Sequence, residues 1–161
     1  MSEPAPDPGS EAWADRLAII DLVQRYSDAV SHNRWDAVEA TFAPDCVLDL
    51  VVPFPMRVEG GRAIRDALEE RCRDLDLLFQ TSVQTVVDLE GPGQATASTL
   101  VNELMNQPGV FSMEMRGIYH DRLRKDDGVW RFTHREFRGV YADRTILPGR
   151  VLTPRSDLES G

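Results

Sequence analysis

The sequence predicts an α+β fold in which helices pack on one side of a curved, mostly antiparallel sheet. Apolar residues recur at spacings of three and four through the first half of the chain, while long β-rich runs fill the second half. The last two runs, Phe111–Leu123 and Val129–Arg138, flank Asp126-Asp127-Gly128. That spacing predicts a β-hairpin, because Gly supplies the positive φ that such a turn demands.

Taken in order, Met1 to about Ser10 carries three prolines and acidic residues without periodicity, and reads as a disordered tail. From about Glu11 to His32, Leu17, Ile20, Val23, Tyr26 and Val30 form one stripe of an amphipathic helix. Asn33-Arg34 breaks it, and Trp35–Phe42 makes a short second helix stopped by Pro44. Cys46–Val52 is β-branched and apolar, hence a strand. Phe54–Val58 leads into the turn Glu59-Gly60-Gly61, which opens a third helix from Arg62 to about Leu75 with Ile64, Leu68 and Cys72 on one face. Leu78–Leu89 and Gln94–Met105 are long strands joined at Glu90-Gly91-Pro92-Gly93, and Asn106-Gln107-Pro108-Gly109 turns the chain into the hairpin. Residues 148–161 mix Pro, Gly and charge, which predicts a loose C-terminal arm after a single domain spanning 11–147.

The 161 residues suffice for one domain with a real core. A net charge of −9 argues against a nucleic-acid or anionic-membrane surface, since phosphate binding needs clustered Lys and Arg. No apolar run approaches the roughly 20 residues of a membrane span, and the N-terminus lacks a signal peptide's apolar core. A cytoplasmic protein is expected, with Cys46 and Cys72 reduced. Metal-ligand spacing and glycine-rich phosphate loops are both missing, so no metal and no cofactor are expected.

Several motifs, in order, resemble the SnoaL-like branch of the nuclear-transport-factor-2-like superfamily. They are Ile20-Asp21-Leu22 through Tyr26, Asp28-Ala29-Val30 with Trp35-Asp36, Phe42-Ala43-Pro44-Asp45, and Glu59-Gly60. Asp88-Leu89-Glu90-Gly91, Tyr119-His120-Asp121 and Gly128-Val129-Trp130-Arg131 continue the series, so the resemblance spans about Ala14 to Tyr141. It implies a cone of curved sheet closed by three helices, with an internal pocket. Such a family includes polyketide cyclases, scytalone dehydratase-like and dehydrochlorinase-like lyases, epoxide hydrolases, ketosteroid isomerases and non-catalytic β subunits of ring-hydroxylating dioxygenases. Fold alone does not select among them.

The lyases so resembled use an Asp late in helix one and a His on the strand after helix three. Those positions fall here on Ser31 and on Gln80, or Gln84 under a shifted alignment, and neither residue exchanges a proton near neutral pH. The dyad is absent. Other residues must then line or work the pocket. Tyr26 lies on the helix stripe, and Gln80 and Gln84, four apart, share a strand face. Met113, Met115, Gly117, Tyr119 and Asp121 share another, and the resemblance turns it toward the pocket, where the methionines make an adaptable apolar wall. Arg135 matches a pocket arginine of the lyases, suited to stabilising an enolate or a leaving anion. His134 lies on the opposite face if alternation holds, and a bulge would exchange the two.

For the proton, His134 and Asp121 are the candidates, with His120 a third and Glu103 an acid in apolar company between Val101 and Met105. Two readings follow from the resemblance. One is a cofactor-independent cyclase, isomerase or hydro-lyase acting on a hydrophobic, polycyclic or polyketide-like small molecule. There Tyr26, Tyr119 and Arg135 would polarise a carbonyl, and Ser31, Gln80, Gln84, Met113, Met115 and Glu103 would bind substrate. The other is a non-catalytic ligand-binding or assembly subunit. A homodimer is expected by the same resemblance, through an outer face containing Arg116, Ile118, His120 and Arg122.

Overall fold

A computed structural model describes residues 8–160. Most of the expected N-terminal tail lies outside them, but Pro8, Gly9 and Ser10 already belong to the first helix. The elements run α1 (Pro8–Ser31), α2 (Trp35–Ala40), β1 (Phe42–Val52), β2 (Met56–Glu59), α3 (Gly61–Cys72), β3 (Leu77–Leu89), β4 (Gln94–Gln107), β5 (Phe111–Asp126) and β6 (Val129–Asp143), with a 3₁₀ turn at Arg155–Ser160. Six strands form one open sheet in the order β2-β1-β6-β5-β4-β3, antiparallel except where β1 runs parallel to β6. This is the predicted α+β architecture, with three helices on a curved sheet.

The hairpin forms as its sequence dictates. Asp127 (φ 51°) and Gly128 (φ 80°) both take left-handed backbone, and Asp126 pairs with Val129 across the two-residue loop. Asn33 (φ 56°) ends α1 in the same conformation. Along α1, Ile19, Val23, Tyr26 and Val30 are buried, but Leu17 is 63% exposed: the true stripe starts from Ile19 rather than Leu17. Helix α2 is shorter than expected. Thr41 closes it, and Phe42 enters β1, so Pro44 sits inside a strand, where the pairing with β6 is irregular between Phe42 and Val47. Met56–Glu59, read from sequence as a lead into a turn, is a short edge strand on β1.

Two bulges set which side chains face inward. Between Ser82 and Gln84 the register with β4 slips, so Gln80 and Ser82 are buried but Gln84 turns outward. A second slip pairs Leu123 with Phe132 but Arg122 with His134, leaving Thr133 extra. Trp130 and Phe132 therefore face the core, and beyond the bulge Arg135 and Phe137 do.

The chain's end is docked at Arg155 rather than loose. This side chain is buried, its guanidinium stacks 5.2 Å from the Trp35 ring, and it donates to the carbonyl oxygens of Val30 and Cys72. A cation thus satisfies terminal carbonyls of α1 and α3 together, where both helix dipoles favour positive charge.

Gly117 gives the sheet a close approach. A Cβ there would stand 2.3 Å from Phe137 Cε2, so the Phe137 ring occupies the space that any side chain would need. Gly117→Ala is expected to lower stability by about 1–3 kcal/mol through overpacking. The check is the urea midpoint, which should fall with the slope unchanged.

Candidate active site

Between the concave sheet face and the helices lies a pocket of about 90 Å³. Burial grades from floor to rim. Tyr26, Tyr119, Met115 and Leu78 are buried at its floor and walls, while Val52, Phe54 and Arg71 are exposed around its mouth. Val30, Trp35, Leu50, Leu68, Met105 and Phe137 complete a largely apolar lining from α1, α2, β1, α3, β4 and β6. Among the described residues, two charged side chains line it, Glu103 and Arg71.

The polar side chains form a chain. Gln80 Nε2 donates to Glu103 Oε1 and, at 3.4 Å, to the Tyr119 hydroxyl, which is hydrogen-bonded in turn to Tyr26. Burial raises the Glu103 carboxyl above its ordinary value, against the lowering effects of the Gln80 hydrogen bond and the Arg71 charge. Burial likewise pushes Tyr26 up to about 12 and Tyr119 well above its usual value, so both phenols stay protonated donors at neutral pH.

Behind the tyrosines, outside the pocket lining, sits a buried ion pair. Arg135 is fully enclosed, with its guanidinium carbon 4.2 Å from the Tyr26 ring centre, 3.8 Å from Tyr119 and 4.1 Å from Phe132. Its Nη1 lies 3.5 Å from Asp121 Oδ2, a charge contact without a hydrogen bond. Desolvation therefore outweighs the attraction of Arg135 and His134, and the Asp121 carboxyl is raised to about 6.

The residues named from sequence separate accordingly. Tyr26, Tyr119, Gln80, Glu103 and Met115 meet in the pocket. Met113 is buried in the core beside it. Arg135 and Asp121 face inward without lining the cavity, and Arg135 lies against the tyrosine rings, so a bound molecule meets the pair's charge only through those rings. His134 does not reach the pocket. It lies on the sheet's outer face, with Nε2 2.9 Å from Asp49 Oδ2, because the Thr133 bulge turns Arg135 inward in its place. His120 and Gln84 also point outward, which removes the shifted alignment of the missing histidine.

The two dyad positions do come together. The Gln80 backbone N–H donates to Ser31 Oγ at 3.0 Å, and Ser31 Oγ donates to Ser27 O at 2.9 Å. Ser31 thus serves the backbone of α1 and β3, not the cavity. Sequence reasoning missed Arg71, Trp35, Phe54 and Phe137 as lining residues. Arg71 carried a signal in its place one turn after Leu68 in the last turn of α3.

Cys46 and Cys72 are free, their thiols pushed up by burial to about 12 and about 11, which makes both poor nucleophiles. Among the described residues, no group of three His, Cys, Asp or Glu side chains is arranged to hold a metal. Nor is any helix there long and apolar enough to cross a membrane.

The geometry has solved relatives. The hexachlorocyclohexane dehydrochlorinase LinA-type3 of Novosphingobium barchaimii LL02 superposes with a TM-score of 0.79 at 18% identity, covering 91% of this chain and 99% of that one. A variant of Rv3472 of Mycobacterium tuberculosis, a protein of unknown function, gives 0.70 at 22% identity over 84% and 78% of the two chains. Kfla4162 of Kribbella flavida gives 0.73 at 20% identity over 82% and 95%. At such identities the likeness carries the fold and not the reaction. No curated protein matches the sequence. The SnoaL-like domain model, however, matches residues 11–136, from the start of α1 into the middle of β6. The chain belongs to the SnoaL-like domain family.

Proposed function

We propose that the pocket performs cofactor-independent proton transfer on a small carbonyl compound, as a cyclase, isomerase or hydro-lyase would. The observation that supports this is Glu103, among the described residues the one carboxylate lining an otherwise apolar cavity. Gln80 holds it in the same chain of hydrogen bonds as Tyr119 and Tyr26. Glu103 takes a proton from carbon next to the carbonyl, and the electron pair moves onto oxygen. A phenolic O–H of the tyrosine pair donates to that oxygen as its charge grows. The electron pair then flows back from oxygen. The proton goes either to another carbon of the conjugated system or to a β-hydroxyl that departs as water when its C–O bond breaks, regenerating the carboxylate. Arg135 acts behind the rings as a positioning residue: its stacked charge eases partial negative charge on the phenols.

The experiment is α-proton exchange into D₂O of a monocyclic β,γ-unsaturated ketone, followed by proton NMR. Exchange with the protein that vanishes in Glu103→Gln supports the assignment. Exchange unchanged by that substitution refutes it. The second reading, a binding or assembly subunit, is favoured by Ser31 being spent on backbone contacts. It would take over if the protein retained a ligand yet catalysed no exchange.

The same reading includes a homodimer. Phe79, Val83 and Leu100 are exposed on the outer sheet face, and Leu100 pairs with Ile118 in the face expected to meet a second copy. Sedimentation at micromolar concentration should give twice the chain mass, and Leu100→Glu should return it to the monomer.

A further inference from the structure

Among the described residues, Arg71 is the only cation lining the pocket, and no described carboxylate forms an ion pair with it. Its neighbours on α3 are engaged elsewhere: Glu69 contacts Arg65 at 3.1 Å, and Glu70 accepts from Arg73 at 3.0 Å. Glu103 feels the Arg71 charge, but among the described residues no carboxylate lies within 4.0 Å of its guanidinium. Instead the guanidinium lies 5.2 Å from the centre of the Phe54 ring, at the rim, where stacking steadies the planar group and leaves its N–H edges open. The position in the last turn of α3 suits a cation electrostatically, yet the helix dipole occupies none of those donors.

We infer that the ligand is an organic carboxylate, with a small apolar body inside the cavity and its carboxylate on Arg71 at the rim. This rests on the proton-transfer reading above and names the substrate class for it. Planar carboxylate and guanidinium match in a paired hydrogen bond, and no other described lining residue carries positive charge. The body is small. The cavity's roughly 90 Å³ is less than the roughly 150 Å³ apolar void that takes up benzene, so the cavity encloses at most part of one ring or a short branched chain, and the remainder with its polar end extends through the mouth. That is smaller than the polycyclic molecule expected from the family.

The placement also couples binding to chemistry. Arg71 lowers the Glu103 carboxyl against the effect of burial. A carboxylate seated on Arg71 offsets that charge, so Glu103 becomes the stronger base once substrate is present.

The test uses isothermal titration with two probes of one shape, 3-phenylpropanoate and the neutral 3-phenylpropanamide. The wild-type protein should bind the carboxylate about tenfold more tightly, with a preference that shrinks as salt rises. Arg71→Gln should abolish the preference while leaving the amide's affinity within about twofold, and Arg71→Lys should restore part of it. Equal affinities in the wild type, no carboxylate binding at millimolar concentrations, or a preference surviving in Arg71→Gln would each overturn the inference. Glu103→Gln separates it from the reading beneath: this variant should lose proton exchange but keep the carboxylate preference. Exchange that depends on Glu103 without any preference would leave the reaction standing and remove the substrate class.

Discussion

Glu103→Gln should lower kcat/KM for proton transfer by about 10²–10⁴, the range a positioned general base supplies. The substitution keeps the side chain's size and lets Gln80 stay within hydrogen-bond reach, so ligand affinity should survive while turnover does not. Stability moves the other way. Burial holds the Glu103 carboxyl above its ordinary value, so ionising it costs the native state. Above that raised value the neutral amide removes the cost, and the variant should melt no lower than the wild type. A fall in activity with an undiminished Tm distinguishes a base from a structural acid. The wild-type rate should climb with pH through a point higher than the ordinary value of a glutamate carboxyl, because only the ionised form accepts a proton. Glu103→Asp, which shortens the reach by one methylene, should retain that profile with a smaller rate. A flat pH profile together with full activity in Glu103→Gln would move the proton to another group.

What could be read from the chain follows from how local each signal is. Asp127-Gly128 fixes its hairpin through two residues' backbone preferences, and the period of two from Met113 to Asp121 holds because β5 keeps its alternation between them. Both features needed only neighbours in sequence. Gln84 shows the limit. It lies just past an extra residue, Val83, that inverts inside and outside, and nothing in the neighbouring sequence marks a bulge. His134 lies on the face opposite Arg135, as alternation between the two requires. Leu17 has helical spacing but lies off the face that the sheet covers, a fact only packing decides. Arg155 looked like part of a charged arm, because its partners, the carbonyls of Val30 and Cys72, are backbone atoms that any sequence would offer. Glu103 and Arg71 share the pocket though 32 positions separate them in the chain, and no spacing rule joins α3 to β4. The absent Asp–His dyad was legible because it concerns identities at aligned positions. What replaces it was not, because that depends on which side chains the curved sheet gathers.

Asp121→Ala should destabilise the protein by about 3–5 kcal/mol, since it strands the Arg135 charge in a site with no solvent. That is a large share of a domain's usual stability of roughly 5–15 kcal/mol. The pair itself is a weak stabiliser. At 3.5 Å and without a hydrogen bond, the attraction does not repay burial, as the raised Asp121 carboxyl records. The double variant Asp121→Leu with Arg135→Met should therefore be far less damaged than Asp121→Ala alone, a coupling that a double-mutant cycle reads directly. The pH dependence has a definite sign. Asp121 titrates near 6 in the folded chain, above the 3.8 of an exposed carboxyl, so between those values the native state binds more protons than the unfolded one. Its contribution to stability is full below about 4, falls as pH rises through 6, and is level beyond. Asp121→Asn should remove that slope, because a neutral amide has nothing to titrate. Urea unfolding at several pH values between about 4 and 7 makes the comparison. A wild-type slope of opposite sign would mean that Arg135 holds the carboxylate ionised. The pair would then act as a fixed charge beneath Tyr26 and Tyr119, rather than as a strained one that takes up a proton when the solvent turns acid.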